Sequence, residues 1–223
     1  MTGALLGFQR LRTNKELTDD LRRGRVAVAV EDAKARNQRE AKLSAPIPYH
    51  AEVKDLDDAL ANYTTVIARP VFQYSQVNTD SKEIETWYKF EVSDFLSQPK
   101  LAKCTNCSST KSVPSELNPI QANEIVVVRN TGSVVLDGIK VTSSDRMFPD
   151  FTINQKYLLF LSLDLNTRFG FIDLGQAGVS VVESDGQVTP ISDKSARLNN
   201  ELKLRFGKID QIKKRLQFRR FPD

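Results

Sequence analysis

The sequence predicts a mainly β domain of the small Greek-key barrel type, flanked by helices at both ends. Three observations predict it. Residues 63 to 191 alternate runs of Val, Ile, Thr, Tyr and Phe with turn residues, the signature of an antiparallel sheet. The stretches on either side are rich in Ala, Leu, Lys, Arg and Glu, which favour helix by intrinsic propensity. Asp137-Gly138 and Asp185-Gly186 are two-residue hairpin turns, the second set between Val181-Val182 and Val188.

The elements follow in order. Residues 13 to 44 contain one glycine, Gly24, and no proline, so two helical pieces are expected. The alternation of Val26, Val28 and Val30 competes with helix, and the Ala-rich sequence after it pulls back. Pro46 and Pro48 end this segment, and 45 to 50 reads as an extended connector because each proline pushes its predecessor out of the helical region. A short helix is expected over 55 to 61, then strands over 64 to 77, 84 to 95, 124 to 130, 134 to 141, 156 to 165 and 178 to 190. Between them, 97 to 123 is a long Ser/Pro/Asn-rich loop of the kind that is usually functional or mobile. After 192 a helical stripe returns in Leu198, Leu202, Phe206, Ile209, Ile212 and Leu216, with Gly207 placed to break it in two. The organisation expected is therefore a helical N-terminal extension and connector (1–50), a barrel with a loop insertion (51–193), and a basic amphipathic C-terminal helix (194–223), around one core.

The charges are unevenly distributed. The chain has 32 Lys/Arg and 28 Asp/Glu. Residues 1–50 hold 10 basic and 6 acidic side chains and residues 194–223 hold 10 and 3, so 51–193 is left with 12 and 19. Basic ends can pack on their own acidic middle, which is the reading preferred, or steer toward nucleic acid, lipid headgroups or an acidic protein. No run approaches the roughly 20 apolar residues of a membrane-spanning helix, so a soluble chain is expected. Ala4-Leu5-Leu6-Gly7-Phe8 is shorter than the apolar core of a signal peptide and follows no basic residue, so no export signal is expected either.

Candidate chemistry is sparse. Cys104-Thr-Asn-Cys107 is the one motif with intrinsic reactivity. A structural zinc site needs four ligands, and the chain offers no second such pair and a single histidine, His50. Redox work wants the pair at a helix N-terminus, whereas Ser108, Ser109, Thr110 and Pro114 follow here. A loop-closing disulfide is the first expectation, two unreactive thiols the second, and metal or redox chemistry the last. His50 has no nucleophile in a recognisable setting. Glu83, Glu85 and Glu91 could suggest the paired acids of glycoside hydrolysis, but strand alternation groups Glu85, Lys89 and Glu91 as a solvated face. Gly170, Gly175 and Gly178 lack the following Lys-Ser/Thr of a phosphate loop. The same alternation puts Trp87 on that polar face. With Phe72 or Tyr74 beside it, Trp87 would form a stacking platform for sugars, bases or a peptide. The alternative is that a terminal helix covers it.

Residues 151 to 161, Phe-Thr-Ile-Asn-Gln-Lys-Tyr-Leu-Leu-Phe-Leu, lead to a polar hairpin, Gly175-Gln-Ala-Gly178 and the run Val179 to Val188 with its Asp-Gly turn. Tyr63-Thr-Thr-Val-Ile-Ala-Arg69 and Trp87-Tyr-Lys-Phe-Glu-Val92 precede them. Over about 60 to 190 this pattern resembles bacterial proteins with a netrin-like OB barrel, the fold shared with tissue inhibitors of metalloproteinases. The resemblance implies a barrel and, since those relatives are mostly exported, an extracytoplasmic location. Two departures stand out. A glycine usually precedes the Tyr-Leu-Leu-Phe-Leu strand, where this chain has Asn154-Gln155. The inhibitors chelate their target's zinc through an N-terminal cysteine, and this chain begins Met1-Thr2-Gly3, so inhibition is not carried over.

A barrel pattern without catalytic residues predicts a non-enzymatic binding module that needs no cofactor or metal. It would engage a protein or glycan through barrel loops and the face of Trp87, Phe72 and Tyr74. The alternatives are a single-stranded nucleic-acid-binding OB protein using the basic C-terminal helix, a helix expected either to pack on the barrel or to mediate dimerisation, and a thiol-redox enzyme built on Cys104 and Cys107.

Overall fold

A computed structural model describes residues 24–45, 51–78, 82–98, 113–145, 148–164, 166–191 and 197–220. It is mainly β, with two sheets and four helices among the described residues. The element order is α1 (Arg25–Ala35), β1 (Glu40–Ser44), α2 (Leu56–Asn62), β2 (Thr64–Val77), β3 (Ile84–Ser97), β4 (Glu124–Arg129), β5 (Gly132–Leu136), β6 (Ile139–Ser144), β7 (Tyr157–Asp164), β8 (Phe169–Phe171), β9 (Val179–Val182), β10 (Val188–Pro190), α3 (Arg197–Leu204) and α4 (Ile209–Arg220). No described helix is long and apolar enough to cross a membrane. Cys104, Cys107, His50 and the segment Ala4-Leu5-Leu6-Gly7-Phe8 lie outside the described residues.

The chain divides into two compact units, residues 1–47, 71–88 and 128–150 in the first, and 48–70, 89–127 and 151–223 in the second. Each has its own apolar cluster. These limits cut across the boundaries at 50 and 193.

In the first unit a three-stranded sheet runs in the order β1-β6-β5. β5 and β6 are antiparallel and pair Leu136 with Ile139 across Asp137-Gly138, whose φ values of 48° and 78° are those of a tight primed hairpin turn. The alternation in β6, with Ile139 and Val141 buried and Lys140 exposed, turns one face to α1. Helix wins over the β-branched alternation at 26 to 30 because Val26, Val30 and Ala33 lie a helical turn apart and bury against Val134, Leu136, Ile139 and Val141. α1 ends in a Schellman arrangement. Asn37 N–H donates to the Lys34 carbonyl and Gln38 N–H to the Ala33 carbonyl, with Asn37 left-handed at φ 55°.

Helix was expected to continue toward residue 44, yet Glu-Ala-Lys-Leu-Ser at 40 to 44 is strand β1, parallel to β6 from Glu40 opposite Lys140 to Ser44 opposite Ser144. These residues favour helix locally. The left-handed Asn37 redirects the chain, and pairing with β6 outweighs propensity of a few tenths of a kcal/mol per residue. The N-terminal segment thus contributes a strand, contrary to the expectation of a purely helical extension.

The second sheet runs β10-β9-β7-β2-β3-β4-β8, with a further pairing between β7 and β8. β7 is antiparallel to β2 from Leu161 opposite Thr64 to Tyr157 opposite Ala68. β8 and β9 take successive lengths of β7, Phe169 to Phe171 opposite Asp164 to Ser162 and Val179 to Val181 opposite Leu159 to Tyr157. The pairing of β4 with β8 is parallel. β8 was not anticipated, because three residues are too few to show a period.

β7 is buried on both faces from Tyr157 to Leu163, as its unbroken apolar run requires. One side joins Leu158 and Phe160 to Ile67, Leu96, Val182 and Val188, covered by Leu56, Ala59 and Leu60 of α2 and by Leu198, Leu202, Ile209 and Ile212 of the C-terminal helices. Tyr157 meets Phe151 edge to face at 5.0 Å, and Phe151 meets Phe90 at the same distance. Asp55 caps α2 by accepting from Asp58 N–H at 2.8 Å, while Glu201 of α3 accepts from Leu56 N–H at 2.8 Å. Asn154, in the turn before β7, has φ 66°, and its N–H donates to the Pro70 carbonyl at 2.9 Å. Asparagine is among the few residues that tolerate this left-handed conformation.

Candidate functional site

The aromatic platform is not exposed. Trp87 is 1% exposed and Tyr74 3%, and Phe72 is half-buried. Alternation puts Trp87 on a solvated face only because it assumes that a strand has one. In β3 the residues from Ile84 to Tyr88 are all buried, so both faces are covered there. Glu85, expected in water, is fully buried and accepts from Asn78 Nδ2 at 3.0 Å. Glu91 does reach the surface, and it pairs with Arg69 at 2.6 Å. Glu83 pairs with Arg25.

The C-terminal helices bury the predicted stripe against their own sheet, through Leu198, Leu202, Ile209 and Ile212 with Phe206 and Leu216 partly buried. Several basic side chains on these helices are taken internally. Lys213 meets Asp94 at 2.5 Å and Arg215 meets Asp57 at 2.5 Å. Hydrogen bonding to Asp57 raises the Arg215 pKa further above its ordinary value. Two basic side chains of the C-terminal segment thus pair with acidic residues of the 51–193 span.

What the first unit does present is a groove of about 890 Å³ between α1 and β1. It is built from the helix ends inward. At the start of α1, Gly24 lies so close to the β2–β3 turn that a Cβ would sit 2.2 Å from that of Lys82. Arg25 donates to Glu83 at 3.2 Å and through Nη2 to the Ser44 carbonyl at 2.9 Å. At the other end Lys34 donates to Asp137 Oδ2 at 2.8 Å and Glu31 Oε1 at 3.1 Å, hydrogen bonds that raise its pKa above the usual lysine value. The helix is thus tied at both ends.

Between those ties the groove wall carries Val28, Ala29, Asp32 and Arg36, and the floor carries Glu40, Ala41, Lys42 and Leu43. Val28 is 56% exposed, one of two large apolar side chains so exposed among the described residues. Among the described residues β1 pairs with β6 alone, and its second edge has no strand partner there. Its orientation follows from two hydrogen bonds. The Arg39 carbonyl accepts from Lys140 N–H and Ala45 N–H donates to the Ser144 carbonyl. Alternation along a parallel ladder then directs the backbone groups of Arg39, Ala41, Leu43 and Ala45 to β6 and those of Glu40, Lys42 and Ser44 outward.

A strand edge that is unpaired among the described residues, beside a groove of mixed apolar and charged lining, is the geometry that accepts an extended segment as an added strand. Sequence reasoning did not find it. Its parts are a helix-favouring pentapeptide and one valine, and neither signals a site until the fold puts them side by side. Comparison with protein-family models, with curated proteins and with solved structures finds no match to this chain.

Proposed function

We propose that this chain is a non-enzymatic protein-interaction module that contains an OB-type barrel and a small α/β unit and binds an extended protein segment along β1. The observation that carries the reading is the open outward edge of β1, flanked by exposed Val28 in a groove that can receive side chains. A peptide added there gains backbone hydrogen bonds at Glu40 and Lys42 and specificity from the groove wall.

The barrel reading is supported by the pairings. β7, β2, β3, β4 and β8 follow one another in the sheet, and β8 pairs back to β7, the ring expected of a five-stranded Greek-key barrel. The turn at Asn154-Gln155, where netrin-like proteins usually carry a glycine, holds Asn154 at φ 66°, a conformation glycine favours, and is compatible with that resemblance.

The test uses Lys42→Pro. Proline at this outward position removes one edge N–H without touching the ladder to β6, a placement edge strands tolerate. The wild-type chain, displayed to a library of linear peptides, should select sequences whose binding is lost in Lys42→Pro. Selection of no peptide, or of peptides that bind both proteins equally, overturns the reading.

A further inference from the structure

We infer that the segment taken up by β1 is β1 of a second copy, so that the chain self-associates edge to edge about a two-fold axis. This inference rests on the strand-addition reading above and names its partner. The charges of the edge are self-complementary in one register. Antiparallel pairing centred on Ala41 sets Glu40 opposite Lys42 of the other copy, twice, through the outward backbone groups of both residues. Glu40 and Lys42 are both exposed, and neither has an ion pair among the described residues.

The competing register, centred on Lys42, fails on two counts. It sets Lys42 against its own copy, and it pairs Glu40 with Ser44, whose carbonyl already accepts from Arg25 Nη2 at 2.9 Å. The Arg25 contact therefore ends the free edge at the point where the favourable register ends. Isologous contacts of this kind close into dimers rather than growing into fibres. The two grooves then adjoin across the axis, with exposed Val28 on the wall of each.

Sedimentation velocity on the full chain, from low to high micromolar concentration, tests the inference. One chain mass at low concentration should give way to two at high concentration. Lys42→Pro should abolish the doubling while leaving the circular dichroism spectrum unchanged. Glu40→Lys and Lys42→Glu alone should each weaken association about tenfold or more, because each puts like charges opposite one another twice. The double variant Glu40→Lys/Lys42→Glu should restore it, an outcome that simple misfolding cannot produce. A monomer at every concentration overturns the inference, as does a dimer that survives Lys42→Pro and the single charge changes. If the protein is monomeric but peptide selection at β1 succeeds, the self-pairing fails and the strand-addition reading stands. If neither pairing nor peptide binding appears, both fall.

Discussion

The two sheets treat their edges differently. In the seven-stranded sheet the last strand, β10, is guarded. Val188 N–H donates to the Gly207 carbonyl, Ile209 N–H donates to the Gly186 carbonyl, and Gln187 bridges Lys208. The link between α3 and α4 thus lies along that edge, and Leu202, Ile209 and Ile212 root it in the core. In the three-stranded sheet β1 has no such cover among the described residues. Unpaired edges invite association, and proteins usually suppress them. Among the described residues, the edge left uncovered is the one at which strand addition is proposed.

That comparison can be broken or sharpened by substitution. The largest effect belongs to the sheet with the open edge. Gly132 opens β5 at φ 126°, where a Cβ would meet Thr86 Oγ1 at 1.9 Å and Ser75 Oγ at 2.9 Å. Gly132→Ala should cost about 4 kcal/mol, combining a strained backbone with an overpacked contact, read as a lowered denaturant midpoint. The Thr86 hydroxyl is held by the Thr131 carbonyl at 2.5 Å and cannot simply turn away.

The guard on β10 is the next target. Ile212 is fully buried, and Ile212→Ala should cost about 3 kcal/mol by leaving a cavity under α4. It should also expose the β10 edge, giving new association that Lys42→Pro does not suppress. If Ile212→Ala destabilises the protein and leaves its self-association unchanged, the guarding role of α4 is wrong.

A smaller effect is expected at Asn154. Asn154→Ala should cost about 1 to 2 kcal/mol because alanine resists the left-handed conformation, while Asn154→Gly should change stability by less than about 1 kcal/mol. The pair of variants separates backbone conformation from any side-chain contact.

The smallest concerns pH. Tyr63 is buried, and burial, followed by the charges of Asp173 and Asp58, raises its pKa above the usual 10.0. The folded state therefore holds this proton more tightly than the unfolded chain. Its contribution is complete below pH 10 and is lost as pH rises from there through the folded pKa. Tyr63→Phe should flatten the alkaline end of a stability-versus-pH curve and leave neutral pH little changed. Equal alkaline slopes in both proteins would contradict this assignment.

The strands were legible where chemistry is local. β2 falls on residues 64 to 77 as its β-branched and aromatic run predicts, and both Asp-Gly turns sit between strands, Gly138 and Gly186 at positive φ. The division of the C-terminal stripe at Gly207 was legible too. Two failures have a common cause. Glu40 to Ser44 contains no β-branched residue, and its strand state comes from β6, a hundred residues away. Trp87 alternates with its neighbours as a half-solvated strand would, but tertiary structure covers the second face. The candidate site joins both kinds of hidden information, a strand without strand propensity and an exposure without a pattern, so periodicity could not point to it.

Amide hydrogen exchange along β1, followed residue by residue at two protein concentrations, tests the open edge most directly. In dilute solution the outward amides of Glu40 and Lys42 should exchange far faster than those of Ala41 and Leu43, and should slow in proportion as dimer forms. Outward amides that are as protected as the inward ones in dilute solution, or that exchange at one rate whatever the concentration, would contradict an edge held open for a second copy.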